Sequence, residues 1–156
     1  MKPAWYALGI LVACASGLLA SNEWEQRLDR QRIEAAKARP ITDDLVIHRL
    51  IVPHHTVKST PVATLTFHAA RELNAGFGAS VIGADGTIYC PNTSGKGGGL
   101  QFPARMSPAM RVPLQKFTGS CALQPGRYVL AVRFNVQTGQ VVKPISVESE
   151  PFIVSE

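Results

Sequence analysis

Carboxylates are almost missing from the middle of this 156-residue chain. Between residues 45 and 147 ten Lys and Arg face only two acids, Glu72 and Asp85. Acid–base catalysis by a carboxylate pair needs two acids in one shielded site, and this stretch has no others to offer. Nucleophile motifs are missing too: no serine stands in a Gly-x-Ser-x-Gly turn. Metal spacing is missing as well. His54 and His55 are adjacent, so in extended chain they point to opposite faces. His48 and His68 fall on separate strands, and nothing has the tight His or Cys spacing of a zinc site. The Gly-Lys pair in Gly95-Lys96-Gly97-Gly98-Gly99 lacks the earlier Gly of a phosphate loop, a Ser or Thr after Lys96, and a following helix. It reads as a hairpin loop, just after the glycosylation sequon Asn92-Thr93-Ser94. These absences point away from an enzyme, and no cofactor or metal is expected.

Charge is also absent between Lys2 and Glu23. The run Pro3 to Ala20 is about the minimum that crosses a bilayer as a helix. Trp5 and Tyr6 near one end and Trp24 past the other are about 28 Å apart along a helix, which suits interfacial aromatics. Lys2 precedes the run, and Glu23 and Glu25 follow it. The expectation is a signal anchor over residues 1–21 with a cytoplasmic N-terminus and a periplasmic or extracellular C-terminal domain. Two other readings stand beside it. Leu11-Val12-Ala13-Cys14 has the form of a lipobox, with Cys14 lipidated, and Ala13-Cys14-Ala15 fits signal cleavage. All three export residues 22–156.

Cysteine is scarce. Besides Cys14 there are Cys90 and Cys121. In an exported domain they can pair, closing a loop of about 30 residues and restricting the unfolded chain by roughly 3 kcal/mol. Pairing between chains is the alternative.

Residues 22–40 read as a charged helical stalk. Helix formers run without Gly or Pro, Glu23 and Arg27 have the favourable i, i+4 order, and Arg39-Pro40 ends it. Trp24, Leu28 and Ile33 do not hold a heptad.

From Ile41 to Glu156 the period is two, which predicts an antiparallel β-sandwich. Leu45 to Val52 is a first strand, interrupted by Pro53-His54-His55. Ala63, Leu65, Phe67 and Ala69 form one face of a second. Asn74-Ala75-Gly76 reads as a turn. Phe77, Ala79 and Val81 give a third strand, and Asp85-Gly86 a hairpin leading into Thr87 to Cys90. Leu100 to Phe102 and Val112 to Phe117 bracket a turn, with Pro103 and Pro113 marking edges or bulges. The strongest strand alternates Tyr128, Leu130, Val132, Phe134 and Val136. Val141 to Val154 closes the domain.

The pattern Leu123-x-Pro125-Gly126-x-Tyr128-x-Leu130-x-Val132, followed by a hairpin and Glu150-Pro151-Phe152-x-Val154, resembles the last two strands of immunoglobulin-like and fibronectin-III-like sandwiches. The resemblance covers about the last 35 residues. It implies that the Tyr128 hydroxyl fixes a corner at the start of the penultimate strand. Cys90 and Cys121 do not take the paired-strand positions of a true immunoglobulin domain, and no core Trp follows. The whole arrangement also resembles small envelope proteins of bacteria and their phages.

The functional expectation is a membrane-anchored, non-enzymatic binding or scaffolding module. Its partners would be the lipid bilayer and a protein or anionic envelope polymer, met through Lys96, Arg105 and Arg111. The basic residues are scattered singly, which disfavours nucleic acid. The alternatives are a structural part of an envelope-spanning or phage lysis assembly, and a lipoprotein held through Cys14.

Overall fold

The computed structural model describes residues 24–92, 99–104 and 109–156. It divides at Arg39/Pro40 into two units. In the first, residues 24–38 are helical (α1). The helix is solvated and charged throughout; Lys37 bonds Glu34 at 3.0 Å and Arg32 lies 3.6 Å from Asp29.

The expected membrane-spanning helix needs correction. No helix among the described residues is long and apolar enough to cross a membrane. The described helix carries charges on every turn, which hydrocarbon does not accept. Residues 1–21, with Trp5, Tyr6 and Cys14, lie outside the described residues.

The second unit is mostly β and sandwich-like. After a 3-10 turn, Ile41–Asp43, come β1 Leu45–Ile51, β2 His55–Thr56, β3 Val62–Ala69, β4 Leu73–Gly83 and β5 Ile88–Asn92. Then follow β6 Leu100–Phe102, β7 Ala109–Pro113, α2 Leu114–Thr118, β8 Gly126–Thr138, β9 Val141–Glu148 and β10 Phe152–Ser155. The first sheet has the order β1-β3-β7 and is antiparallel.

The second sheet is built on the two longest strands. β4 and β8 pair antiparallel from Asn74↔Gln137 to Gly83↔Tyr128. Two short strands flank each of them end to end. β6 and β5 lie along β4, and β9 and β10 lie along β8. β2 adds to β10 in parallel.

Period-two sequence explains both long strands. Leu73, Ala75, Phe77, Ala79 and Val81 face the core from β4, and Tyr128, Leu130, Val132, Phe134 and Val136 do so from β8. Edge-to-face rings join the sheets: Phe67 of β3 meets Phe102 of β6 at 4.9 Å, and Phe102 meets Phe134 of β8 at 5.7 Å. Each such pair adds about 0.5–1.5 kcal/mol beyond burial.

Two local expectations shift. The turn read at Asn74-Ala75-Gly76 comes earlier, at residues 70–72, and β4 begins at Leu73. Asn74 and Gly76 are exposed positions of the strand, opposite Gln137 and Asn135. The real turn is fastened by Asp44, which is buried: its carbonyl accepts the Ala70 N–H at 2.9 Å and its carboxylate the Arg71 Nε–H at 3.1 Å.

The second shift concerns Val112 to Phe117. The strand stops at Pro113 and α2 takes over. Leu114 and Phe117 are both buried, and a spacing of three brings them to one helix face. Gly119, with φ 65°, ends the helix and gives its N–H to the Gln115 carbonyl at 2.8 Å, a conformation glycine adopts without a Cβ penalty.

The crossover from β1 to β2 moves the chain between sheets at Pro53-His54. There His54 Nδ1 accepts the Ile153 N–H at 2.9 Å, and the His55 ring stacks on Phe152 at 5.6 Å. Nearby, the Glu150 N–H donates to the Leu50 carbonyl at 3.2 Å, and Arg49 Nε donates to the Glu150 carboxylate at 2.8 Å. Ser149 caps this seam: its buried hydroxyl accepts the Leu130 N–H at 2.9 Å and donates to the Glu150 carbonyl at 2.8 Å.

Candidate functional site

Cys90 and Cys121 form a disulfide, with Cα atoms 5.4 Å apart. It ties β5, at the edge of the second sheet, to the segment between α2 and β8. Ala79 pairs with Asn92 and Val81 with Tyr89, so Cys90 and Pro91 together oppose Ser80. That is a β-bulge, and Cys90 carries the left-handed φ of 49°. Pro91 fits there because a bulge relieves it of the ladder N–H it lacks.

The segment fixed by Cys121 forms one wall of a cleft of about 290 Å³. The β2–β3 turn forms the other wall. Leu114, Leu123 and Val154 supply apolar surface, and Ser59, Thr60, Gln115 and Ser120 supply polar groups. The walls are held by backbone bonds: Leu114 N–H to the Pro61 carbonyl at 2.9 Å, and Val57 N–H to the Ser155 carbonyl at 2.9 Å. His55 sits in the lining and donates from Nδ1 to the Pro53 carbonyl at 2.9 Å.

No protein-family model matches this chain, and neither does any curated protein. Its functional reading therefore rests on its own residues.

Tyr128 makes the hydroxyl bond implied for it. Its Oη donates to the Gln124 carbonyl, four residues upstream, at 2.9 Å. Gly126 makes room for the ring: a Cβ there would lie 3.0 Å from Oη and 3.1 Å from Cζ. Burial pushes the Tyr128 pKa up from 10.0, and the negative charges Tyr89 and Asp85 can carry push the same way. The Asp85 carboxyl is held below its usual value by the Thr87 hydroxyl at 2.7 Å and the Thr87 N–H at 3.0 Å.

Replacing Tyr128 by Phe should cost about 0.5–1.5 kcal/mol in urea unfolding. A raised folded pKa gives stability that is present below pH 10 and lost as pH rises through the folded value. The Phe variant should therefore lose part of the wild type's alkaline destabilisation, measured as the difference in urea midpoint above and below pH 10.

The outer face of the first sheet is basic and hydroxylated. Arg49 and Arg111 stand on β1 and β7, opposite Thr66 and Thr64 of the central β3. Arg111 is exposed and β7 is an edge strand. Lys96 and Arg105, expected to act with Arg111, lie outside the described residues. Arg49 was not singled out by sequence; only the strand register brings it to the face of Arg111.

The histidines are spread over β1, the crossover, β2 and β3. Among the described residues no three His, Cys, Asp or Glu side chains gather as a metal site would require. Trp24 is 64% exposed on α1.

Proposed function

We propose that this chain is an exported, non-enzymatic binding or scaffolding module whose β domain is of immunoglobulin-like or fibronectin-III-like kind. Three strands against a sheet centred on β4 and β8, with β2 switching sides, support the fold reading. So does the Tyr128–Gln124 bond at the start of β8. The Cys90–Cys121 disulfide supports export, since such bonds persist in oxidising compartments.

The observation that carries the binding reading is the outer face of the first sheet. Arg49 and Arg111 flank Thr64 and Thr66 there, beside the edge strand β7. Guanidinium groups suit carboxylates and phosphates, and an edge strand offers backbone groups to an extended partner. The Arg49–Glu150 pair is exposed, and a pair of that kind contributes little, so Arg49 can exchange partners. The fitting partner is an acidic protein segment or an anionic envelope polymer.

The test is salt elution from immobilised dextran sulfate. Arg49→Gln with Arg111→Gln should elute at clearly lower salt than Lys58→Gln with Arg127→Gln, which removes the same charge elsewhere. Equal shifts for the two pairs would mean that net charge alone acts, and the proposed face would be wrong.

A further inference from the structure

We propose that the cleft between the β2–β3 turn and the α2–β8 segment binds a neutral, hydroxyl-rich small molecule of about one sugar ring. It uses different residues from the arginine face and stands whether or not that face binds a polyanion.

The described domain is rich in Lys and Arg, yet none of them lines this cleft, and neither does an Asp or Glu. A charged ligand would be desolvated there without a counter-charge, which is costly. A neutral ligand meets no such penalty.

Thr60, Ser120 and Gln115 each offer both a donor and an acceptor. Ligand hydroxyls have the same dual character, so they can satisfy these groups in either direction. Ser59 already donates to the Thr56 carbonyl at 2.8 Å, which leaves its oxygen oriented as an acceptor.

The lining combines these polar groups with the apolar surfaces of Leu114, Leu123 and Val154. A sugar ring likewise presents C–H faces and a hydroxyl rim. The volume, about 290 Å³, lies at the small end of ligand pockets, which admits a single ring rather than a chain.

The disulfide holds one wall at Cys121, and the turn at Thr56 to Ser59 holds the other through the Ser59 N–H to Thr56 carbonyl bond at 3.1 Å. Little ordering remains to oppose binding.

Saturation-transfer NMR on the full-length protein tests this, with glucose, N-acetylglucosamine and glucuronate as probes at millimolar concentration. At least one neutral sugar should show transfer, and glucuronate should bind about tenfold more weakly or worse. Thr60→Trp, which adds bulk to the lining, and Ser120→Asp, which adds a charge to it, should each weaken the neutral sugar about tenfold. Arg49→Gln with Arg111→Gln should leave it unchanged. Absence of transfer from both neutral sugars would overturn the proposal. So would equal binding of glucuronate, or full binding by a folded Ser120→Asp variant.

Discussion

Phe134→Ala will cost about 3–5 kcal/mol of unfolding free energy, the range for truncating a buried aromatic ring. Phe134 is fully buried at the middle of β8. Its backbone pairs with Phe77 on one side and Ile145 on the other. Its ring meets Phe102 at 5.7 Å and Phe77 at 6.2 Å, both edge-on. Phe102 passes the contact to Phe67 of the first sheet at 4.9 Å, and Phe77 passes it to Phe117 of α2 at 5.1 Å. Removing the ring thus empties the point where both sheets and α2 converge. Against a total stability of about 5–15 kcal/mol, that is a large share of the margin and, at the low end of the range, nearly all of it. Urea titration followed by tyrosine fluorescence measures it. Phe134→Leu should lose less, because it keeps most of the volume. A loss below about 1 kcal/mol for alanine would mean that the aromatic chain is not what joins the sheets.

The contrast between Phe134 and Phe117 shows what sequence could convey. Phe134 lies in a thirteen-residue strand with strict alternation, and such a pattern has one interpretation. Phe117 lies in a six-residue stretch where period two and period 3.6 agree on too few positions to choose. Tertiary burial of Leu114 with Phe117 decides for a helix. The Asn74-Ala75-Gly76 error has a different cause. Asn and Gly favour turns through local backbone freedom, but β4 is held on both sides, by β6 and β8, and that pairing overrides the local preference.

The candidate surfaces were less legible than the strands. Arg49 meets Arg111 only through the β1-β3-β7 register, with a shift between Ile47 and Arg49. No spacing in the sequence expresses that. The cleft draws on four separated segments, and its most telling property, the lack of charge, emerges only when they are assembled. The disulfide was readable because the two cysteines of the β domain permit one intramolecular pairing. Its role in bracing a cleft wall was not.

Removing that disulfide is the second large effect. Cys90→Ser with Cys121→Ser should lose about 2–5 kcal/mol, read as a fall in urea midpoint relative to the oxidised protein. Wild type in strong reductant should fall to about the same midpoint. Chain entropy is one part of the loss, since the bond joins residues 31 apart. Backbone strain at Cys90 offsets part of the bond's stabilisation and can be isolated. Cys90 keeps φ 49° in the β5 bulge, where a left-handed non-glycine residue costs about 1–2 kcal/mol. A bulge of this kind ordinarily favours glycine at that position, and only the sulfur bond requires a side chain. Cys90→Gly with Cys121→Ser should therefore be more stable than the double serine variant, by up to about 1 kcal/mol after glycine's larger unfolded-state entropy is included. If the two variants unfold at the same urea concentration, the bulge relaxes once the bond is gone. If the glycine variant is the more stable, the left-handed conformation persists without the bond, and the β4–β5 pairing rather than the disulfide imposes it on residue 90.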